Sequence, residues 1–143
     1  MRGTFALFVA TLVLIATGLA LYSALGILRN SDDPAAGAVV AAFGAALKQH
    51  DGARACALLA PVAQSRIEED RKKPCEQGVL ELASDLGPRG AVRHVNVAEN
   101  SAFVTTTGGG AFFLGRFGPK WKLSAAGCQR QAGDAPYDCA LQG

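Results

Sequence analysis

The chain begins with one long apolar stretch and then changes hydrophobic period twice. Phe5 to Leu28 is a run of 24 residues without a charge. At about 1.5 Å of rise per residue, a helix of that length covers roughly 36 Å, enough to cross a hydrocarbon core of about 30 Å with some tilt. A cleavable leader has a shorter apolar region, about 7–15 residues, and ends in a small-x-small site. Here the best cleavage position, around Ser23-Ala24, puts Tyr22 where a small residue is needed. No cysteine stands near the end of the run to accept a lipid. The pattern predicts an uncleaved transmembrane anchor with its cytoplasmic tip over residues 1–30, and one extracytoplasmic domain over 31–143.

Beyond the anchor the period is helical. Ser31-Asp32-Asp33-Pro34 is a start signal, with Asp33 as cap and Pro34 at the first helical position, where its missing N–H costs nothing. Val39, Val40, Phe43 and Leu47 then recur at helical spacing until His50-Asp51-Gly52. A short second helix is predicted over Ala53 to Ala60. A third starts at Pro61 and ends in the charged run Glu68 to Lys73. A fourth opens at Pro74, with Cys75, Val79, Leu82, Ala83 and Leu86 on one face. After Gly87-Pro88 and Gly90 the period becomes that of strands: Val92 to Ala98, Ala102 to Thr107, Ala111 to Phe117 and Trp121 to Ala125. Their turns are Glu99-Asn100, Gly108-Gly109-Gly110 and Gly118-Pro119-Lys120. Gly127 to Gly143, rich in Gly, Gln and Ala, is expected as an irregular tail. Helices followed by strands joined through short turns imply an α+β fold with a four-stranded antiparallel meander packed on helices.

Charge narrows the function classes. The net charge is +2, and two of the cations, Arg2 and Arg29, flank the apolar run, so the domain beyond it is neutral. A neutral domain lacks the basic footprint that nucleic acid requires. Arg29 opposes an extracytoplasmic placement of the domain under the positive-inside rule; the cysteines favour it. Cys56, Cys75, Cys128 and Cys139 all follow the anchor, and none forms a C-x-x-C pair, which disfavours zinc or a redox dithiol. Their even number reads as two disulfides formed in an oxidising compartment. Three pairings are open, and sequence proximity favours Cys56–Cys75 with Cys128–Cys139. Four reduced, buried thiols in a cytosolic domain are the competing reading.

The order of elements resembles membrane-anchored domains of the NTF2-like (cystatin-like) superfamily, and small secreted or envelope proteins of high-G+C bacteria. The resemblance spans roughly residues 34–139. It is carried by AVVAAFGAALKQHDGARACALLAP, RKKPCEQGVLELASDLG, FFLGRFGPKWKLSAAGC and the closing YDC. It implies a curved sheet wrapped on a helix as a cone with an apolar cavity, used by some relatives as an enzyme pocket and by others for binding or assembly.

Candidate chemistry is thin. His50 and His94 are the only histidines, and neither has metal-ligand spacing. Asp51, Asp85 and Glu99 are the carboxylates best placed for acid–base work in such a cone, yet each also has a structural role, as helix cap, last-turn residue and turn residue. The chain has no G-x-S-x-G and no phosphate-loop pattern; Gly108–Gly110 joins two strands. The mixed-sign run from Glu68 to Lys73 is a solvated helix end. Phe112, Phe113, Phe117 and Trp121 are the one aromatic concentration, expected as sheet core or, if a pocket exists, as its walls. No cofactor motif is present. The expectation is a membrane-anchored extracytoplasmic binding or accessory domain. Its partners would be the bilayer through residues 5–28 and either an envelope protein or an apolar ligand. Two alternatives stand beside it: a small enzyme using a cavity carboxylate, and a disulfide-stapled spacer.

Overall fold

A computed structural model describes residues 34–133 and 136–143. The predicted anchor over residues 5–28 and the Asp33 cap lie outside the described residues. The chain divides between Asn30 and Ser31, and the fold below is that of the second unit. Among the described residues, no helix is long and apolar enough to cross a membrane.

Among the described residues the unit is α+β, with five helices followed by five strands. The helices are α1 (Pro34–Lys48), α2 (Gly52–Ala57), α3 (Pro61–Arg71), α4 (Cys75–Glu81) and α5 (Ala83–Leu86). The strands are β1 (Val92–Ala98), β2 (Ser101–Thr106), β3 (Ala111–Phe117), β4 (Lys120–Arg130) and β5 (Tyr137–Gln142). All strand neighbours are antiparallel, in the order β1-β2-β3-β4-β5. The expectation of four strands and an irregular tail is therefore corrected. β4 runs to Arg130, and the tail returns along it as β5, with Cys128 opposite Cys139 and Gln129 opposite Asp138.

Local chemistry explains most helix boundaries. Pro34 opens α1. Asp51 caps α2, its Oδ1 accepting from the Arg54 N–H at 3.0 Å. Pro61 opens α3, and Lys72 ends it in a left-handed conformation. The α2–α3 link is held by three contacts. Gln64 Nε2 donates to the Cys56 and Leu59 carbonyls at 2.8 and 3.1 Å, and Lys122 Nζ donates to the Ala57 carbonyl at 2.7 Å, a cation at a helix C-terminus. Leu58 to Ala60 also pairs with β4. The Ala60 N–H donates to the Leu123 carbonyl at 2.7 Å, and the Leu123 N–H to the Leu58 carbonyl at 2.9 Å. That pairing covers backbone of β4 just past the stretch that β5 occupies.

The core lies between the helices and one face of the sheet. Val40, Phe43 and Leu47 of α1, Leu59, Ile67, Val79 and Leu86 meet Val104, Phe112, Leu114, Trp121, Leu123 and Leu141. A smaller cluster occupies the opposite face, where Phe103, Phe113 and Tyr137 pack in a triangle with ring centroids 5.0, 5.4 and 5.7 Å apart. These rings cover Ala111, Ala125 and Cys128. Register shifts distribute residues between the two faces. Strict alternation from Leu123 would send Ala125 to the helices. The shift between Phe113 and Leu114 leaves an extra residue on β4 and sends Ala126 there instead, with Ala125 opposite. Gly127, at φ +65°, accompanies the second shift and brings Cys128 to the outer face. The pairings Cys56–Cys75 and Cys128–Cys139 are both formed. The first joins α2 to α4 and the second crosses β4 and β5.

Candidate functional site

An apolar opening follows from the two faces of α1. One face carries Val40, Phe43 and Leu47 into the core. The adjoining flank carries the small residues Gly37, Ala41, Gly44 and Ala45. Opposite stand Pro88 and, on the edge strand β1, Val92 and Val95. Between these walls lies an open apolar groove of about 620 Å³, in which Lys48 is the only ionisable lining residue. That volume falls within the range of roughly 300–1,000 Å³ typical of ligand sites. Val92 and Val95 are three residues apart, an odd spacing that an unbroken strand would send to opposite faces. The register shift between Val92 and His94 puts both beside α1. The fit at the groove floor is close: a Cβ on Gly44 would lie 2.4 Å from Pro88 Cγ, and one on Gly37 3.1 Å from Val95 Cγ2.

A second opening is polar and lies on the other side of the Gly87–Gly90 loop. Gly87 and Arg89 line it, whereas Pro88 and Gly90 line the apolar groove. Its volume is about 180 Å³, and its other walls are the Gly108–Gly110 turn and the β4 segment through Gly127 and Arg130.

The residues singled out in the sequence are dispersed. Asp51 caps α2, Asp85 sits on α5 beside the polar opening, and Glu99 holds the β1–β2 turn at φ +53°; all three are exposed. His50 lies in the turn after α1 with φ +53°, and His94 is exposed on β1. Among the described residues, no group of three or more His, Cys, Asp or Glu is arranged to hold a metal ion. The four aromatics do not share one wall. Phe112 and Trp121 are buried against the helices, with the Arg116 guanidinium 4.4 Å from the Trp121 ring centre. Phe113 belongs to the opposite face, and Phe117 is 42% exposed. The groove itself was not legible in the sequence. Its signal was the Gly37, Ala41, Gly44, Ala45 spacing, which reads equally as a helix flank packed tightly against a neighbour.

No protein-family model, no curated protein and no solved structure matches the chain.

Proposed function

We propose that this chain is a non-enzymatic binding or accessory domain, tethered by residues 5–28 to the outer face of a cell membrane, whose docking surface is the α1/β1 groove. The observation that carries the reading is the character of that groove: apolar, open and bordered by the unpaired side of an edge strand. The two disulfides favour an oxidising, extracytoplasmic setting. An enzyme working through a cavity carboxylate has less support. Asp51 stands before α2, Asp85 on α5 and Glu99 in the β1–β2 turn, and Phe43, Phe112 and Trp121 fill the space between helices and sheet where the cavity of an NTF2-like cone would lie.

The test uses the full chain, extracted from membranes in mild detergent, with bound proteins and lipids identified by mass spectrometry. An Ala41→Asp variant places a carboxylate in the groove at an exposed helical position. The expected outcome is a species retained by the wild type and lost from A41D, with urea unfolding nearly unchanged. Identical profiles for the two proteins overturn the groove as the docking surface. A mature chain beginning after residue 24, or a carboxyl end on the cytosolic side, overturns the tether or its sidedness.

A further inference from the structure

We propose that the polar opening between the Gly87–Gly90 loop and β4 is an anion site that takes a phosphate group, with Arg89 and Arg130 as its cations. The site is independent of the apolar groove and of the membrane tether. Four observations combine. The opening, at about 180 Å³, suits a small polyatomic ion better than an extended ligand. Two of its lining residues are arginines, whose planar guanidinium forks match the oxygens of a phosphate. The ion pairs among the described residues are Arg66–Glu69 and Lys73–Glu81, so neither arginine is committed to a carboxylate. Finally, a Cβ on Gly109 would meet nothing within 4 Å, so an ion can approach the bare tip of the Gly108–Gly110 turn.

The backbone around Arg89 is clamped in place. Its carbonyl accepts from the Gly108 N–H at 2.9 Å, and next to it the Thr107 N–H donates to the Ala91 carbonyl at 2.9 Å. The Ala91 N–H donates in turn to Thr107 Oγ1 at 3.1 Å. A Cβ on Gly108 would lie 2.5 Å from the Arg89 carbonyl oxygen, and one on Gly127 2.1 Å from that of Asp85. Glycine is therefore required where the walls meet. The Gly108–Gly110 turn is thus not the strand-to-helix phosphate loop of nucleotide-binding proteins; it serves as the bare side of a site whose charge comes from elsewhere. Asp85 also lines the opening, and Asp138 lines an adjoining one that shares Arg89 with it. Removing the Asp85 carboxylate strengthens anion binding in this scheme.

The test is a titration of the isotopically labelled full chain in non-ionic detergent, following the backbone amide signals of Gly108, Gly109 and Gly110. Sodium phosphate is compared with sodium chloride at matched ionic strength. The expected result is a saturable shift with phosphate alone, with a dissociation constant on the order of millimolar. R89Q and R130Q should each weaken it about tenfold or more, as expected for loss of a charge-assisted hydrogen bond, and D85N should tighten it. A second arm uses nanodiscs of phosphatidylcholine with and without phosphatidylglycerol and no added phosphate. Shifts there assign the site to lipid headgroups, and shifts only with free phosphate assign it to a soluble anion. No saturable shift in either arm overturns the proposal, as does an unchanged affinity in both folded arginine variants.

Discussion

The approach of β4 to α5 at Gly127 gives the most decisive test of the fold, because three glycines separate two causes of strain. At Gly118 only conformation is at issue: φ is +61°, and a Cβ there would meet nothing within 4 Å. At Gly52 the backbone is ordinary, but a Cβ would lie 1.9 Å from the Glu76 carbonyl oxygen, where α2 crosses α4. Gly127 combines both, with φ +65° and a Cβ 2.1 Å from the Asp85 carbonyl oxygen. A left-handed alanine costs about 1–2 kcal/mol, partly offset by the smaller entropy of its unfolded chain. Forcing a methyl into a packed site costs about 1–3 kcal/mol. Gly118→Ala should therefore lower stability by about 1 kcal/mol, Gly52→Ala by about 1–3 kcal/mol and Gly127→Ala by about 2–5 kcal/mol. The assay is urea unfolding of the oxidised full chain, read by fluorescence of Trp121, the only tryptophan and 5% exposed in the core. If Gly127→Ala is no worse than Gly118→Ala, β4 does not press against α5, and the geometry assigned to the polar opening fails with it.

The other predictions concern the staples, a surface ion pair and the outer aromatic cluster. The disulfides close loops of 19 and 11 residues, so C56S/C75S and C128S/C139S should each cost about 3 kcal/mol in urea titrations, the first slightly more; a cost near zero for either pair would refute the staple it removes. A hydrogen bond from Lys73 holds the Glu81 carboxyl below the ordinary carboxylate range, with the charges of Lys73 and Arg71 adding to the effect and desolvation opposing it. Because the folded state binds this proton less readily than the unfolded chain, the contribution is present above the unfolded pKa and is lost as pH falls through the folded value. The stability difference between wild type and E81Q should narrow on acidification from about pH 7 to about pH 2, by a small amount because both partners are exposed; a difference that widens would reverse the assigned direction. A double-mutant cycle with Phe103→Ala and Phe113→Ala should return a coupling of about 0.5–1.5 kcal/mol, and additive losses would mean the outer rings do not pack as a unit.

The first three helix starts were legible in the sequence because their punctuation is local, whereas the fourth helix, expected to run unbroken from Pro74 to Leu86, is split at Leu82 into α4 and α5. Pro34, Asp51 and Pro61 act within one turn of themselves, and the structure puts helix starts at or directly after each. The same holds for β1 to β3, whose turns were marked by Glu99-Asn100 and the glycine triplet. The end of the sheet was not legible, because β4 and β5 depend on pairing rather than pattern. Ala125, Ala126, Gly127 and Cys128 break alternation, and a strand broken in this way reads as a coil. Only the partner strands show that shifts in register are dividing the residues between two buried faces. Tyr137 to Gln142 likewise looks too polar to order itself. Its order comes from the ladder to β4, the disulfide at Cys139, and the packing of Tyr137 on Phe103 and Phe113.

The same distinction governs the two openings. Along Gly87-Pro88-Arg89-Gly90, alternate residues line alternate sides, so one loop is a wall of both the apolar groove and the polar cleft. In the sequence these four residues are a helix terminator and nothing more. They acquire chemistry only because Gly108 is bare enough to accept the Arg89 carbonyl against it, and because β1 shifts register to bring Val92 beside α1. Both causes lie in backbone geometry that links residues roughly twenty or more apart along the chain or depends on strand register. No pairing of carboxylates or histidines marks either opening, and the Gly108–Gly110 triplet that lines the polar one reads as a hairpin turn. Of the aromatic residues expected as sheet core or pocket wall, Phe112 and Trp121 close the main core, and Phe113 packs in the outer one.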